Sequence, residues 1–347
     1  MGLHRIGGWF VSHDLRYTGL VECVVERDAA PTEAEAEPLL WPLADAQLER
    51  MFPSESGAAT WQNDFTSVTV RPQPLLGITG ATGAVGGRVA HLLTDYAPVL
   101  VVRDPTRTPD LGLLVRSCEY ADEPAAVEAL RGIEVLFMVS AAEAPDRREQ
   151  HRTFIRAAAA AGVRHLVYTS FAGAAADATF TLGRDHHDAE EAVRESGMEF
   201  TFLRDNFYAD LLPAFADESG VIRGPAGDGR VAAVARADVA DVAALVMRDP
   251  DRHAGATYTL TGPEALTLTE VAVRAGAVLG RELSFENQTV EEAYATRAAA
   301  YDVEQWQLDA WVSTYTAIAD GSCAAVTDDV ATLRGYRPRT LEEALAP

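Results

Sequence analysis

Residues 75–93, LLGITGATGAVGGRVAHLL, run from a short apolar stretch through a turn with glycines at 80, 83, 86 and 87 into a helix-like pattern. This order of strand, glycine turn and helix constrains the fold more than any other feature of the chain. Without Cβ atoms in the way, the backbone amides at the helix start can approach a pyrophosphate and bind it with the positive end of the helix dipole. A glycine pattern alone is weak, and a plain glycine-rich turn is its simplest alternative. The flanking strand and helix, and the second strand–helix unit that follows, favour a dinucleotide loop.

Strand-like and helix-like segments alternate beyond the turn. Strands are predicted at LLGIT, PVLVV, SCEY, EVLFMV, HLVYTS and EFTFL, with helices starting near Ala84, Pro124, Arg147, Arg184 and Phe207. Such alternation with short connections predicts an α/β chain: a Rossmann-type, doubly wound parallel sheet. The nucleotide-binding domain is expected over 73–205 and a small C-terminal substrate lobe over 206–347, with 237–262 returning to the sheet. Residues 1–72 read as an N-terminal extension, in which β-leaning runs flank an acidic stretch able to hold one amphipathic helix.

The second predicted strand ends VLVVRDP, so Arg103 stands where an acid would hold a ribose hydroxyl. Arginine there suits a 2′-phosphate, which favours NADPH over NADH. The alternative is that Asp104 binds the ribose and Arg103 merely ends the strand.

Composition narrows the partners. All 29 basic residues of the 347 are arginine, and the formal charge is −23. Without a basic stripe, nucleic acid and anionic membranes are poor partners. No apolar run approaches the roughly 18 residues of a membrane span, and the first residues lack a signal-peptide pattern, so a cytoplasmic protein is expected. Cys23, Cys118 and Cys323 lie far apart and show neither disulfide nor metal spacing.

Taken in order, ITGATGAVGG, VVRDPTR, EYADEPAAVEALRGIEVLFMVSA, QHRTFIRAAAAAGVRHLVYTS, GMEFTFLRDNFY, GPAGDGRVAAVARADVADVAA and YTLTGPEALTLTEVA resemble the NmrA-like atypical short-chain dehydrogenase/reductases, and among them the bacterial NADPH-dependent quinone oxidoreductases. The resemblance implies that Gly80, Thr82, Gly83, Ala84, Val85 and Gly86 line the cofactor diphosphate. It places Arg103 at the 2′-phosphate, Asp122 near the adenine, and Ser140, Tyr168 and Ser170 facing the nicotinamide. It also puts Asn206, Phe207 and Tyr208 at the rim of the substrate cleft, although LRDNFY departs from the family's LRNGWY-like pattern. In DHHDAEEAV, Glu191 stands where relatives often carry lysine, while His186 matches a histidine of the quinone reductases.

The missing lysine matters chemically. A tyrosine hydroxyl has a pKa of about 10 and needs a nearby cation to act as an acid near neutrality. No tyrosine here has such a lysine, so the usual Tyr/Lys pair is absent. Three readings follow: a ketoreductase whose oxyanion is stabilised by Ser140, Ser170, Tyr168, a histidine or the substrate's own phenol; a quinone reductase; or a non-catalytic NADP(H) sensor. His186 and His187 diverge by about 100° on a helix, so at most one faces the cleft. His151 reads as structural or solvated.

The extension contains Trp9, Phe10, Tyr17, Trp41, Phe52, Trp61 and Phe65, too many aromatics for a disordered tail. It is expected to pack, with the open substrate cleft as the place for a lid; a start codon set too early is the other explanation. A lidded, lysine-free member of this group resembles the tailoring ketoreductases of aromatic polyketides in antibiotic biosynthesis. That implies an angucyclinone-type or quinone substrate, with no metal and an open oligomeric state.

Overall fold

Short, β-branched apolar runs form strands from Leu76 onward, and the alanine-rich segments between them form helices. The computed structural model describes residues 2–12, 18–27, 30–51, 63–72 and 74–346, and the chain divides into two units, Met1–Pro74 and Leu75–Pro347.

In the first unit, β1 (Gly2–Ser12), β2 (Thr18–Arg27) and β3 (Asn63–Pro72) form an antiparallel sheet in the order β2-β1-β3, with α1 (Glu33–Met51) packed on it. Ile6, Ala36 and Leu40 are buried. Strand β1 was hidden in the sequence by its charges and glycines. The lid expectation falls mostly on Trp9, Phe10, Tyr17, Phe52, Trp61 and Phe65, whose side chains lie outside the described residues.

The second unit begins with β4 (Leu76–Thr79), α2 (Ala84–Leu92), β5 (Val99–Val102), β6 (Val115–Ser117), α3 (Glu123–Leu130), β7 (Val135–Met138), α4 (Arg147–Ala161), β8 (His165–Phe171), α5 (Thr181–Ser196) and β9 (Glu199–Asp205). It continues with β10 (Val221–Gly224), β11 (Arg230–Val231), α6 (Arg236–Arg248), β12 (Ala256–Leu260), β13 (Leu266–Thr267), α7 (Leu268–Leu279), β14 (Ser284–Asn287), α8 (Val290–Ala300), α9 (Gln305–Ala319), α10 (Asp329–Arg334) and α11 (Leu341–Leu345).

Seven strands form one parallel sheet in the order β12-β9-β8-β7-β4-β5-β6. Strands β4, β5, β7 and β8 are buried along their whole length, as a sheet covered on both faces requires. Helices α3, α4 and α5 pack over Val101, Leu136, Met138, Leu166 and Phe202, while α2 and α6 pack together in the other layer. This is the doubly wound, Rossmann-type fold. Its strand order reverses at β4, so the ends of β4 and β7 flank the crevice where ligands bind in such sheets.

The remaining segments pair β10 with β14 and β11 with β13 around a core that includes Leu212, Ile222, Val271, Tyr315 and Ile318. Two local expectations need correction. No helix starts at Phe207: the Val234 and Ala209 amides are hydrogen-bonded to the carbonyls of Phe207 and Val234, so the chain forms a bridge there before a short turn at Leu212–Phe215. The third strand is Val115–Ser117 rather than SCEY, because Asp122 turns back to Glu119 and caps α3. Among the described residues, no helix is long and apolar enough to cross a membrane.

Candidate functional site

The glycine turn is shaped by close approach. Gly80 adopts φ +64°, where a side chain is strained, and a Cβ there would come within 2.9 Å of the Val139 Cβ. A Cβ on Gly86 would overlap the Gly80 carbonyl oxygen, whereas on Gly83 the nearest atom is 3.3 Å away. Gly80 and Gly86 therefore let α2 press against the end of β4. No side chain caps α2, and Thr82, Gly83 and Ala84 are exposed. Its first amides are open to an anion, which fits the diphosphate of a dinucleotide.

At the neighbouring strand ends, the Tyr120 hydroxyl lies 2.6 Å from Thr79 Oγ1 and 2.7 Å from the Val139 carbonyl, tying β4 to β7 beneath the crevice. Arg103 is exposed just past β5. Asp104 is turned to Thr106, accepting its amide at 3.0 Å and its hydroxyl at 2.7 Å; those two bonds hold its carboxyl below the usual range. Arg107, on the same turn, is exposed as well. Asp122 is exposed and caps α3 by accepting the Ala125 amide at 3.1 Å.

Beside the crevice lies a cavity of about 270 Å³ whose walls include Ser140, Ser170, His186, Asn206, Phe207 and Tyr208, contributed by β7, β8, α5 and the segment after β9. The structure thus brings together six residues dispersed in sequence. Phe171, Phe180 and Phe207 form an aromatic wall with ring centroids 4.8 to 5.1 Å apart.

The polar groups are mostly committed. Ser170 donates to Glu190 at 2.6 Å, so its hydroxyl offers the cavity only lone pairs. Burial opposes ionisation of Glu190, yet hydrogen bonds from Arg204 and Ser170 hold its carboxyl below the usual range. His186 Nε2 lies 3.1 Å from Arg147 Nη2, and its Nδ1 lies 3.0 Å from the Tyr168 hydroxyl. Burial and then the Arg147 charge push the His186 pKa well below the ordinary imidazole value. Tyr168, expected beside the nicotinamide, is instead wholly buried in the core and does not line the cavity. Burial pushes its phenol far above the ordinary range. The Ser140 amide donates to Thr169 Oγ1 at 2.8 Å, which aims the half-buried Ser140 at the cavity mouth.

Asn206 is also used internally: its amide donates to the Cys323 carbonyl at 2.9 Å and accepts the Phe207 amide at 2.8 Å. His151 is buried, accepting the Ala141 amide at 2.8 Å, and Glu191 is exposed and paired with Arg194. Three groups at the site were not singled out from the sequence: Arg147, Glu190 and Asp205. Asp205 is 3% exposed and lines the cavity. Its Oδ2 accepts the Tyr208 hydroxyl at 3.0 Å, while its buried Oδ1 has no partner. The only sequence signal was its place in LRDNFY, where the related pattern carries asparagine.

A glycine turn at the reversal point of a doubly wound sheet, beside an aromatic cavity, defines an NAD(P)H-dependent oxidoreductase. The comparisons agree. Residues 80–250 match the NAD(P)H-binding family model. Quinone oxidoreductase 2 of Escherichia coli is 33% identical over 282 residues, covering 78% of this chain and 98% of the relative. The crystal structure of that NADPH-dependent enzyme with NADPH bound aligns with a TM-score of 0.70 at 32% identity, over 78% of this chain and 98% of the other. The (4-alkanoyl-5-oxo-2,5-dihydrofuran-3-yl)methyl phosphate reductase of Streptomyces griseus is 38% identical over 65% of this chain and 80% of the relative. The triphenylmethane reductase of Citrobacter sp. complexed with NADP(H) aligns with a TM-score of 0.68 at 28% identity, over 78% and 98%. The chain belongs to the quinone-oxidoreductase, NmrA-like group of NADPH-dependent oxidoreductases, and NADPH is its cofactor.

Proposed function

We propose that the protein reduces quinones and related flat, conjugated carbonyl compounds. In this reading Gly80, Thr82, Gly83, Ala84, Val85 and Gly86 line the diphosphate, Arg103 meets the 2′-phosphate, Asp122 lies towards the adenine, and Ser140 stands beside the nicotinamide. Bound NADPH supplies a hydride. The chain's own residues hold the acceptor flat against Phe171, Phe180 and Phe207 and exclude water from the carbonyl, while the Ser140 hydroxyl hydrogen-bonds its oxygen. The observation that carries the reading is this aromatic wall facing a cavity without a Tyr/Lys pair. A quinone suits such a site because its reduced form is an aromatic phenolate that needs little acid assistance.

A second, narrower reading is a ketoreductase acting on a polycyclic aromatic polyketide of the angucyclinone type. It is favoured by a further cavity of about 410 Å³ that shares Phe215 and Thr314 with the first and is walled by Tyr301, Trp311 and Tyr315. A flat substrate of several fused rings fits along both.

The test is turnover. NADPH absorbance is expected to fall on adding a naphthoquinone, and the product is expected to reoxidise in air; an air-stable alcohol from a polycyclic ketone instead supports the narrower reading. No NADPH consumption with either class, despite tight NADPH binding, favours a sensor of cofactor redox state.

A further inference from the structure

Carbonyl reduction requires a proton, and among the residues so far assigned only the Ser140 hydroxyl donates to the oxygen, as a hydrogen bond and not as an acid. Ser170 gives its hydrogen to Glu190. His186 faces the Arg147 guanidinium through Nε2 and the Tyr168 hydroxyl through Nδ1. Tyr208 donates to Asp205. Glu143 stands at the exposed rim, on the Trp311 indole.

Asp205 is different. It ends β9, lines the cavity while almost wholly buried, and one of its carboxyl oxygens, itself buried, has no partner. Among the described residues no cation pairs with it: Arg204 is spent on Glu190, Arg236 on Asp210, and Arg147 on Asp185. Of the other neighbouring segments, α5 presents neutral His186, and the C-terminal lobe presents the Cys323 carbonyl to the adjacent Asn206. Burial raises the Asp205 carboxyl well above its ordinary range, only partly offset by the Tyr208 hydrogen bond. A buried, uncompensated carboxyl keeps its proton.

We propose that Asp205 is the catalytic acid of the reduction, its carboxyl giving its proton to the substrate oxygen. This deepens the carbonyl-reduction reading and rests on it. Hydride from NADPH forms the new C–H bond at the ketone carbon, the C=O π pair moves to oxygen, and the Asp205 O–H bond breaks as the O–H bond of the alcohol forms. NADPH is oxidised to NADP⁺, and the carboxylate left behind recovers its proton from water after product release.

The test compares wild type with Asp205→Asn, which keeps the shape and the Tyr208 hydrogen bond, on two acceptors. A ketone, whose reduction would otherwise leave an alkoxide, needs the proton; a cationic triarylmethane dye is discharged by hydride alone. General acid catalysis is typically worth about 100-fold or more. The variant is therefore expected to lose about that factor in kcat on the carbonyl acceptor at similar KM, and to keep its dye rate within about threefold. Wild-type kcat on the carbonyl acceptor falls as pH rises through the Asp205 pKa, and the variant lacks this limb. Equal losses on both acceptors, no loss on the carbonyl acceptor, or survival of the limb overturns the proposal.

A readout independent of turnover separates its failure from that of the functional reading. Because the folded protein keeps a proton that the unfolded chain releases above about pH 4, the unfolding equilibrium constant of wild type relative to Asp205→Asn is expected to rise by up to about tenfold per pH unit between pH 5 and 7. A flat ratio refutes a protonated Asp205 whatever the substrate; a rising ratio with no turnover of either acceptor by wild type counts against the reading on which the proposal rests.

Discussion

Arg147 Nη2 lies 3.1 Å from His186 Nε2. A guanidinium only donates, so Nε2 accepts and the ring proton sits on Nδ1, directed at the Tyr168 hydroxyl 3.0 Å away. The contact fixes the tautomer and, with burial, keeps the ring neutral. Both ring nitrogens of His186 are thus engaged within the protein.

Nitrogen NMR of the imidazoles checks this. His186 is expected to show the neutral Nδ1–H form throughout pH 5.5–8, with no titration in that window. A cationic ring at pH 6, or a proton on Nε2, contradicts the contact.

The glycine turn makes a graded prediction. Gly86→Ala forces a methyl onto the Gly80 carbonyl, which must displace α2 from the strand end. It is expected to destabilise by about 1–3 kcal/mol and to raise the NADPH dissociation constant at least about tenfold, since the displaced amides no longer converge on the diphosphate. Gly83→Ala, with its nearest atom at 3.3 Å, is expected to fold normally and to lose far less affinity. Calorimetric titration of both variants decides; equal losses contradict the packing argument.

Much of this framework was legible because its signals are local. The strands of the parallel sheet are short apolar runs, and the glycine turn writes its backbone demands into consecutive residues. The place of Arg103 just past β5 could be read by counting from the turn. The interior of the cavity could not. Arg147 and His186 are 39 positions apart, and nothing in either neighbourhood signals the contact. Tyr168 reads as a cofactor neighbour from its strand end, yet its side chain falls on the face covered by α4 and α5. The state of Asp205 depends on burial by the C-terminal lobe, a tertiary fact that leaves no pattern in LRDNFY. The bridge after Asn206 is hidden for the same reason: its partner, Val234, lies 26 residues on from Tyr208.

In the proposed reading, cofactor preference turns on Arg103. Asp104 is occupied by Thr106, and the Arg103 side chain is exposed just past β5. A hydrogen bond to a charged group contributes about 1.5–3 kcal/mol, so Arg103→Ala is expected to weaken NADPH by about 10- to 150-fold while leaving NADH within about twofold. Equal affinity of the wild type for the two cofactors contradicts the assignment.

Acid stability follows from three buried histidines. Burial is the main cause that depresses His151 and His186 well below the ordinary value and His165 to about 4; His151 and His165 also each leave Nδ1 without a partner. For a depressed imidazole the unfolded chain binds the extra proton, so the contribution is complete above the unfolded value of about 6.5 and is lost as pH falls below it. Each ring is expected to remove up to about 1.4 kcal/mol of stability per pH unit between about pH 6 and 4.5. Urea unfolding across that range measures the slope, and His165→Gln, which keeps a side chain able to bond Thr201, is expected to reduce it by one ring's share. An unchanged slope places the acid sensitivity elsewhere.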